Sequence, residues 1–363
     1  MKINKILNEA TIEQAAKEYG SGVKKAANAI EAGEVITEEE PFGVIGDALD
    51  DALESAREAN DFGEVSGVNV LLIGRGGTGK TSIVKKWARA RGVNFVEKDA
   101  KTLDPSDLGG IIGRKYDDEG NPSNTVTKLS NNEFDELDKP NSVLFLDELN
   151  RAPTDVAGSL LTLINDHVVN DQNEPSGKRL LKGFLFTVAA INPPRPGNDV
   201  NELDNPMRSR FGAVEVESNP EEHLKYLNWH YNQQIKQMEK EGHPERIPAI
   251  MGRLAIANKL LTDPRFEFDD DEDEDRAQDE GIPVLNPRSL TNLLHASRGK
   301  KELFLNKWNG FCNPYKYSVI EDILSDYVDV DDKANDALKY GDENPFAKKR
   351  EEQNVYDKIA DLI

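Results

Sequence analysis

Cysteine is nearly absent from this chain: Cys312 is its one thiol in 363 residues, and one thiol can form neither an internal disulfide nor a thiolate metal cluster. Nothing in the composition therefore points to an oxidising compartment. Long apolar runs are missing too. No stretch approaches the roughly 20 apolar residues that a membrane-spanning helix needs, and Met1 to Ala10 mixes lysines with apolar residues where a signal peptide would carry an apolar core. A cytoplasmic location without membrane contact is the expectation. Positive charge is in short supply: 45 Lys and Arg stand against 67 Asp and Glu, for a formal charge of −22. A field of that sign repels phosphate backbones and anionic membranes, which disfavours nucleic acid as a bulk partner. The basic residues between Lys85 and Arg91 leave room for a local exception.

What is present suits a soluble, globular chain. Apolar residues make up 37% and charged residues 31%, enough to bury a core beneath a heavily charged surface. The length favours a main domain with at least one smaller one. Residues 1–41 read as a polar, helical N-terminal extension. From Phe42 the pattern changes, with Ala48, Leu49, Ala52, Leu53 and Ala56 at helical spacing. Apolar runs then alternate with amphipathic ones, the pattern of a parallel sheet with crossover helices. Five strands are expected, over Val68 to Ile73, Asn94 to Lys98, Ser142 to Leu146, Phe184 to Ile191 and Ala213 to Val216. Helices are expected over Thr81 to Ala90 and Asp155 to Asp166, with Thr154 as the N-cap of the second. The α/β domain then covers 42–218. A smaller helical domain covers 219–340, and a helical tail covers 341–363. Seven consecutive acids, Asp269 to Asp275, repel one another and predict a solvated loop or disordered insert near 267–281. They lack the spaced ligands and turn glycine of a calcium loop.

Chemistry enters at Gly74-Arg75-Gly76-Gly77-Thr78-Gly79-Lys80-Thr81, which fits G-x-x-x-x-G-K-[ST] at every fixed position, between a predicted strand and a predicted helix. Glycines let the backbone curl until successive N–H groups face a phosphate. Lys80 adds a charge, the helix start adds unpaired N–H groups, and Thr81 offers magnesium a hydroxyl. Downstream, Ser142 to Leu146 runs straight into Asp147-Glu148. At the carboxyl edge of a parallel sheet Asp147 can hold a hydrated magnesium while Glu148 polarises an attacking water. Guanine readers usually carry N-K-x-D; the nearest match, Asn306-Lys307-Trp308-Asn309, ends in Asn and lies outside the sheet region, so adenine is favoured.

Together these residues resemble the AAA+ ATPases and, within them, the MoxR-like branch, over roughly Val44 to Leu294. Asp147-Glu148-Leu149-Asn150-Arg151-Ala152 looks like the branch's D-E-[IL]-N-R-A signature, and Asp104 to Gly110 is similar to its P-x-D-L-x-G segment. Gly158 to Leu161, through His167 to Val169 and then Lys178 to Lys182, is placed like the family's helix with an inserted hairpin. Asn192, closing the strand Phe186 to Ile191, resembles sensor 1, although an Asn-Pro turn is equally natural there. Asn205 to Phe211 resembles the segment whose arginine reaches a neighbouring subunit's nucleotide, with Arg210 as the finger and Arg208 as its rival. Asn286-Pro287-Arg288-Ser289 is similar to the start of the sensor-2 helix, which would bring Arg288 to the γ-phosphate. Ser82, beside Thr81, and Val44 and Ile45, where the match begins, complete the nucleotide contacts that the resemblance implies.

The resemblance implies a P-loop AAA+ α/β domain with an α-helical lid, ATP and Mg2+ as ligands, and a homo-oligomer, a hexameric ring. It further implies a protein client to be remodelled, with a von Willebrand A-type partner. A DNA-translocating or packaging motor on the same fold and a non-hydrolysing assembly factor are the competing readings. The charge of −22 weighs against the first, and Lys80, Asp147, Glu148 and Asn192 weigh against the second.

Overall fold

The apolar runs of the sequence form one parallel sheet. The computed structural model describes residues 42–327 and 329, apart from 66–67, 117–118, 130–131, 172–173, 175, 195–201 and 244–245. The expected extension over 1–41 and tail over 341–363 lie outside the described residues. The chain divides into two compact units, one spanning Phe42–Glu217 and the other beginning at Ser218.

In chain order the strands of the first unit are β1 (Asn69–Gly74), β2 (Asn94–Asp99), a hairpin of β3 (Ile111–Tyr116) and β4 (Pro122–Leu129), β5 (Ser142–Asp147), a short hairpin of β6 (Val168–Asn170) and β7 (Lys178–Leu180), β8 (Phe184–Ile191) and β9 (Phe211–Val216). Its helices are α1 (Gly43–Asp61), α2 (Lys80–Ala90), α3 (Pro105–Gly109), α4 (Thr154–Asp166) and α5 (Asn205–Arg208). The sheet has the order β2-β5-β8-β1-β9, and every ladder in it is parallel. This is the five-stranded P-loop arrangement with flanking helices. The order reverses at β1, which places the loop after β1 in a topological switch-point crevice.

Period-two alternation explains how both faces are covered. Val70, Leu72, Val143, Phe145, Val188 and Ala190 pack with Leu49, Ala52, Leu53 and Ala56 of α1 and with Val84, Trp87 and Ala88 of α2. Leu71, Leu144, Leu146 and Ala189 pack instead with Val156, Leu160, Leu163 and Ile164 of α4. Burying one such large side chain contributes about 2–3 kcal/mol. The basic run of α2 is partly neutralised. Arg91 grips Asp50 with two bonds of 2.8 and 2.7 Å, holding that carboxyl below its usual range, and Lys85 lies 3.3 Å from Glu97.

Local chemistry departs from expectation at three points. Thr154 is not the N-cap of α4: Pro153, with extended backbone, holds that position without a side-chain cap, and Thr154 is the first helical residue. The β3–β4 hairpin, antiparallel from Ile111↔Leu129 to Tyr116↔Pro122, was not expected as strand. Its one sequence signal is the turn-forming Gly120-Asn121-Pro122. Third, β9 starts at Phe211, two residues before the expected Ala213, because pairing with β1 begins at Asn69↔Phe211.

The second unit is helical, with α6 (Pro220–Glu241), α7 (Ile247–Leu261), α8 (Asp271–Glu280), α9 (Pro287–Ala296), α10 (Lys301–Phe311) and α11 (Tyr317–Ile323). Leu227, Tyr231, Ile256, Leu260, Leu293, Phe304, Trp308 and Ile320 form its core. Here the expectation for the acidic run is corrected: most of it is α8. Asp270 caps the helix by accepting from Asp273 N at 2.9 Å, and Asp271 to Glu274 fill the first turn, where the helix dipole favours negative charge. Asp269, just before the cap, is buried. Its Oδ2 accepts from Leu285 N at 2.7 Å and from Asn313 Nδ2 at 3.1 Å, while its Oδ1 lies 3.0 Å from the Lys316 ammonium. No described helix is long and apolar enough to cross a membrane.

Candidate functional site

The loop from Gly74 to Lys80 curls as its glycines allow. Gly77 and Gly79 have φ of 90° and 93°, in the left-handed region that costs glycine least. Gly74 is required for a different reason, since a Cβ there would lie 2.3 Å from the Val216 carbonyl oxygen on β9. Thr78 Oγ1 donates to Arg75 O at 3.0 Å and braces the turn. Helix α2 then starts at Lys80 with no side-chain cap, so its first N–H groups are available to an anion.

Two further strand ends meet this loop and the helix that follows it. Lys80 Nζ donates to Gly74 O at 2.6 Å, to Arg75 O at 2.8 Å and to Asn192 Oδ1 at 3.3 Å, joining the loop to the residue that follows β8. Thr81 Oγ1 donates to Asp147 Oδ2 at 3.0 Å, joining α2 to the end of β5. The second oxygen of Asp147 accepts from Glu148 N at 3.0 Å. Glu148 has φ of 53°, an uncommon conformation for a non-glycine residue, which turns its carboxylate out of the line of the strand. Lys80, Thr81, Asp147, Glu148 and Asn192 thus occupy one connected site at the carboxyl edge of the sheet.

Other participants were not found from the sequence. Lys101, just past β2, donates to Glu148 Oε2 at 3.0 Å and lies 3.1 Å from Asp99 Oδ2; the hydrogen bond to Glu148 is the main reason its ammonium holds its proton above the ordinary lysine range. Arg151 approaches the same Glu148 oxygen at 3.7 Å. Asn150, buried, donates to Asn192 O at 2.9 Å and fixes the backbone of that residue. The spacing of Asn150 and Arg151 after Glu148 was legible, but what they touch was not.

The remaining expected residues are more scattered. Ser82 is exposed on α2. Ile45, 2% exposed, belongs to the core beneath α1, while Val44 is 53% exposed on the same helix. Arg208 ends α5 and Arg210 precedes β9; both are exposed, and neither guanidinium has a partner among the described residues. Because Phe211 pairs with Asn69 and Val216 with Gly74, Arg210 sits at the opposite edge of the sheet from the phosphate loop, five strand residues or about 16 Å away along β1. Arg288 belongs to the helical unit, where it is exposed at the second position of α9, behind a capping box formed by Asn286 and Ser289.

The ligand set suits a magnesium nucleotide. Thr81 and Asp147 present hard oxygen atoms beside a loop of backbone N–H groups, and magnesium takes most of its ligands from phosphates and water. Accordingly, no group of three or more His, Cys, Asp or Glu among the described residues could hold a metal without such help.

Comparison with known proteins agrees with this geometry. Residues 69–211 match the AAA domain of the dynein-related subfamily. Among solved structures, the Holliday junction branch migration motor RuvB of Thermotoga maritima is 18% identical, with 77% of this chain and 68% of that one covered and a TM-score of 0.37. A protein from Cytophaga hutchinsonii described as a candidate ATPase is 17% identical, with 84% and 90% covered and a TM-score of 0.32. Superpositions this loose carry no argument. The family match and the sheet order together give residues 69–211 a P-loop AAA+ fold.

Proposed function

From this AAA+ domain we propose a magnesium-dependent ATPase that works as a MoxR-like ring and remodels a protein client. The observation that carries the reading is the convergence of Lys80, Thr81, Asp147, Glu148 and Asn192 on one loop. Bound magnesium would supply positive charge to the β- and γ-phosphates. Thr81 and Asp147 would hold it, the former by its hydroxyl and the latter by the carboxylate that accepts from that hydroxyl. The N–H groups of the loop and of the start of α2 would take the phosphate oxygens, and the Lys80 ammonium, which donates to the Gly74 and Arg75 carbonyls, would add its charge to them. Glu148 orients and polarises the water, and Asn192 holds either that water or the γ-phosphate.

Arg210, with Arg208 beside it, lies at the sheet edge opposite its own phosphate loop, which supports a role at a neighbour's site. Head-to-tail assembly of that kind closes into a ring where the rotation between subunits closes, and the family resemblance argues for a hexamer. Arg288 on the helical unit is the proposed sensor of the γ-phosphate, so that hydrolysis would shift that unit and move the client. The net charge of −22 favours a protein client over DNA.

The test is Glu148→Gln. The variant should bind ATP normally, lose at least 100-fold in magnesium-dependent hydrolysis, and retain its client in a pull-down with ATP. Equal hydrolysis by variant and parent sinks the assignment, and stimulation of the parent by DNA moves the reading to a nucleic-acid motor.

A further inference from the structure

Asn69, the first residue of β1, is a polar side chain buried to 3% exposure. Its amide is used at both ends. Oδ1 accepts from Thr187 N on β8 at 2.8 Å, and Nδ2 donates to the carbonyl of Arg210 at 3.2 Å. A carboxamide offers one acceptor and a donor group from the same planar unit, which is what an N–H on one side and a carbonyl on the other require.

The partners give the bridge its meaning. Thr187 lies in the strand that leads directly to Asn192, and Arg210 leads into β9, the edge strand of the sheet. The backbone of Arg210 is held from both sides, since its N–H donates to Met207 O at 3.1 Å while its carbonyl takes the Asn69 amide. Met207 is itself buried. The exposed Arg210 side chain therefore springs from a fixed Cα. A side chain meant to meet a developing charge must be held to about 0.5 Å, and groups behind it supply that precision.

We propose that Asn69 is a positioning residue for Arg210: it locks the backbone of the arginine that one subunit offers to its neighbour's nucleotide, and so acts on the neighbour's site and not on its own. This rests on the shared-site reading above.

Subunit mixing tests it. Asn69→Asp keeps the acceptor toward Thr187 and removes the donor toward Arg210; it is assayed at pH 8 to favour the ionised carboxylate. Asn69→Ser, which buries no charge, carries the test if the aspartate prevents folding. Each variant alone should bind a fluorescent ATP analogue within two-fold of the parent Kd and lose ten-fold or more in ATPase rate. Mixed with Lys80→Ala subunits, whose Arg210 is intact, activity should return. Mixed with Arg210→Ala subunits it should stay lost, which puts Asn69 and Arg210 in one complementation group. Recovery with Arg210→Ala but not with Lys80→Ala would mean that Asn69 serves its own subunit's site, and overturns the proposal. A parent-like rate, or loss of ATP binding by both variants, overturns it as well. The control mixture of Lys80→Ala with Arg210→Ala separates the two levels. If it stays inactive, the shared site itself is wrong and this role falls with it; if it recovers while the Asn69 variants do not behave as stated, only the role of Asn69 is lost.

Discussion

The Lys101 ammonium lies 3.0 Å from Glu148 Oε2, 47 residues away in sequence, with Asp99 at 3.1 Å on its other side. A carboxylate whose oxygen is taken by a cation has one oxygen fewer for a water. Exposed pairs of this kind are weak and screened by solvent, so the restraint on Glu148 is modest. Lys101→Met should therefore raise the basal ATPase rate two- to five-fold with the Kd for ATP unchanged, as read by steady-state phosphate release. A fall in rate would mean that Lys101 aims Glu148 instead of restraining it.

In the helical unit the acidic segment is organised around Lys316. Its ammonium donates to the carbonyls of Glu267 and Phe268 at 3.2 Å each, and lies 3.0 Å from Asp269 Oδ1 and 3.2 Å from Asp273 Oδ2. The Asp269 side chain is 0% exposed, so removing its counter-charge strands a buried carboxylate. Lys316→Met should destabilise this unit by about 3–5 kcal/mol in denaturant titration. Adding Asp269→Asn should cost less than the sum of the two single changes, because the stranded charge is then gone.

Histidine 167 predicts an acid-sensitive α/β unit. It closes α4 at φ 53°, stacks on Phe184 at 4.1 Å, and has a buried Nε2 without a hydrogen-bond partner among the described residues. Burial pushes its pKa down to about 4, whereas in the unfolded chain it titrates near 6.5. Below that value the unfolded state binds more protons than the folded one, so this stability is complete above about pH 6.5 and is lost as pH falls toward 4. At pH 5 the loss amounts to about 2 kcal/mol. His167→Asn, which tolerates the left-handed backbone, should remove that slope. The measurement is the stability difference between parent and variant at pH 7 and pH 5; no change between the two rejects the assignment.

What the sequence determined by itself was what adjacent residues decide among themselves. The glycines of the phosphate loop, the apolar run into Asp147-Glu148 and the alternation of strands with helices each express a local backbone or burial preference, and the sheet formed at those places. What the tertiary structure decided depends on groups far apart in the chain. Nothing near Asn69 announces Thr187 or Arg210, 118 and 141 residues away, and nothing near Lys101 announces Glu148. The acidic run makes the difference plainest: read alone, seven like charges repel into solvent, but in the fold the Asp270 cap and the dipole at the start of α8 offset that repulsion, while Lys316 reaches Asp269 and Asp273 from more than 40 positions downstream. Mutual repulsion can be read from neighbours in sequence, and the cation that relieves it enters only when the chain has folded.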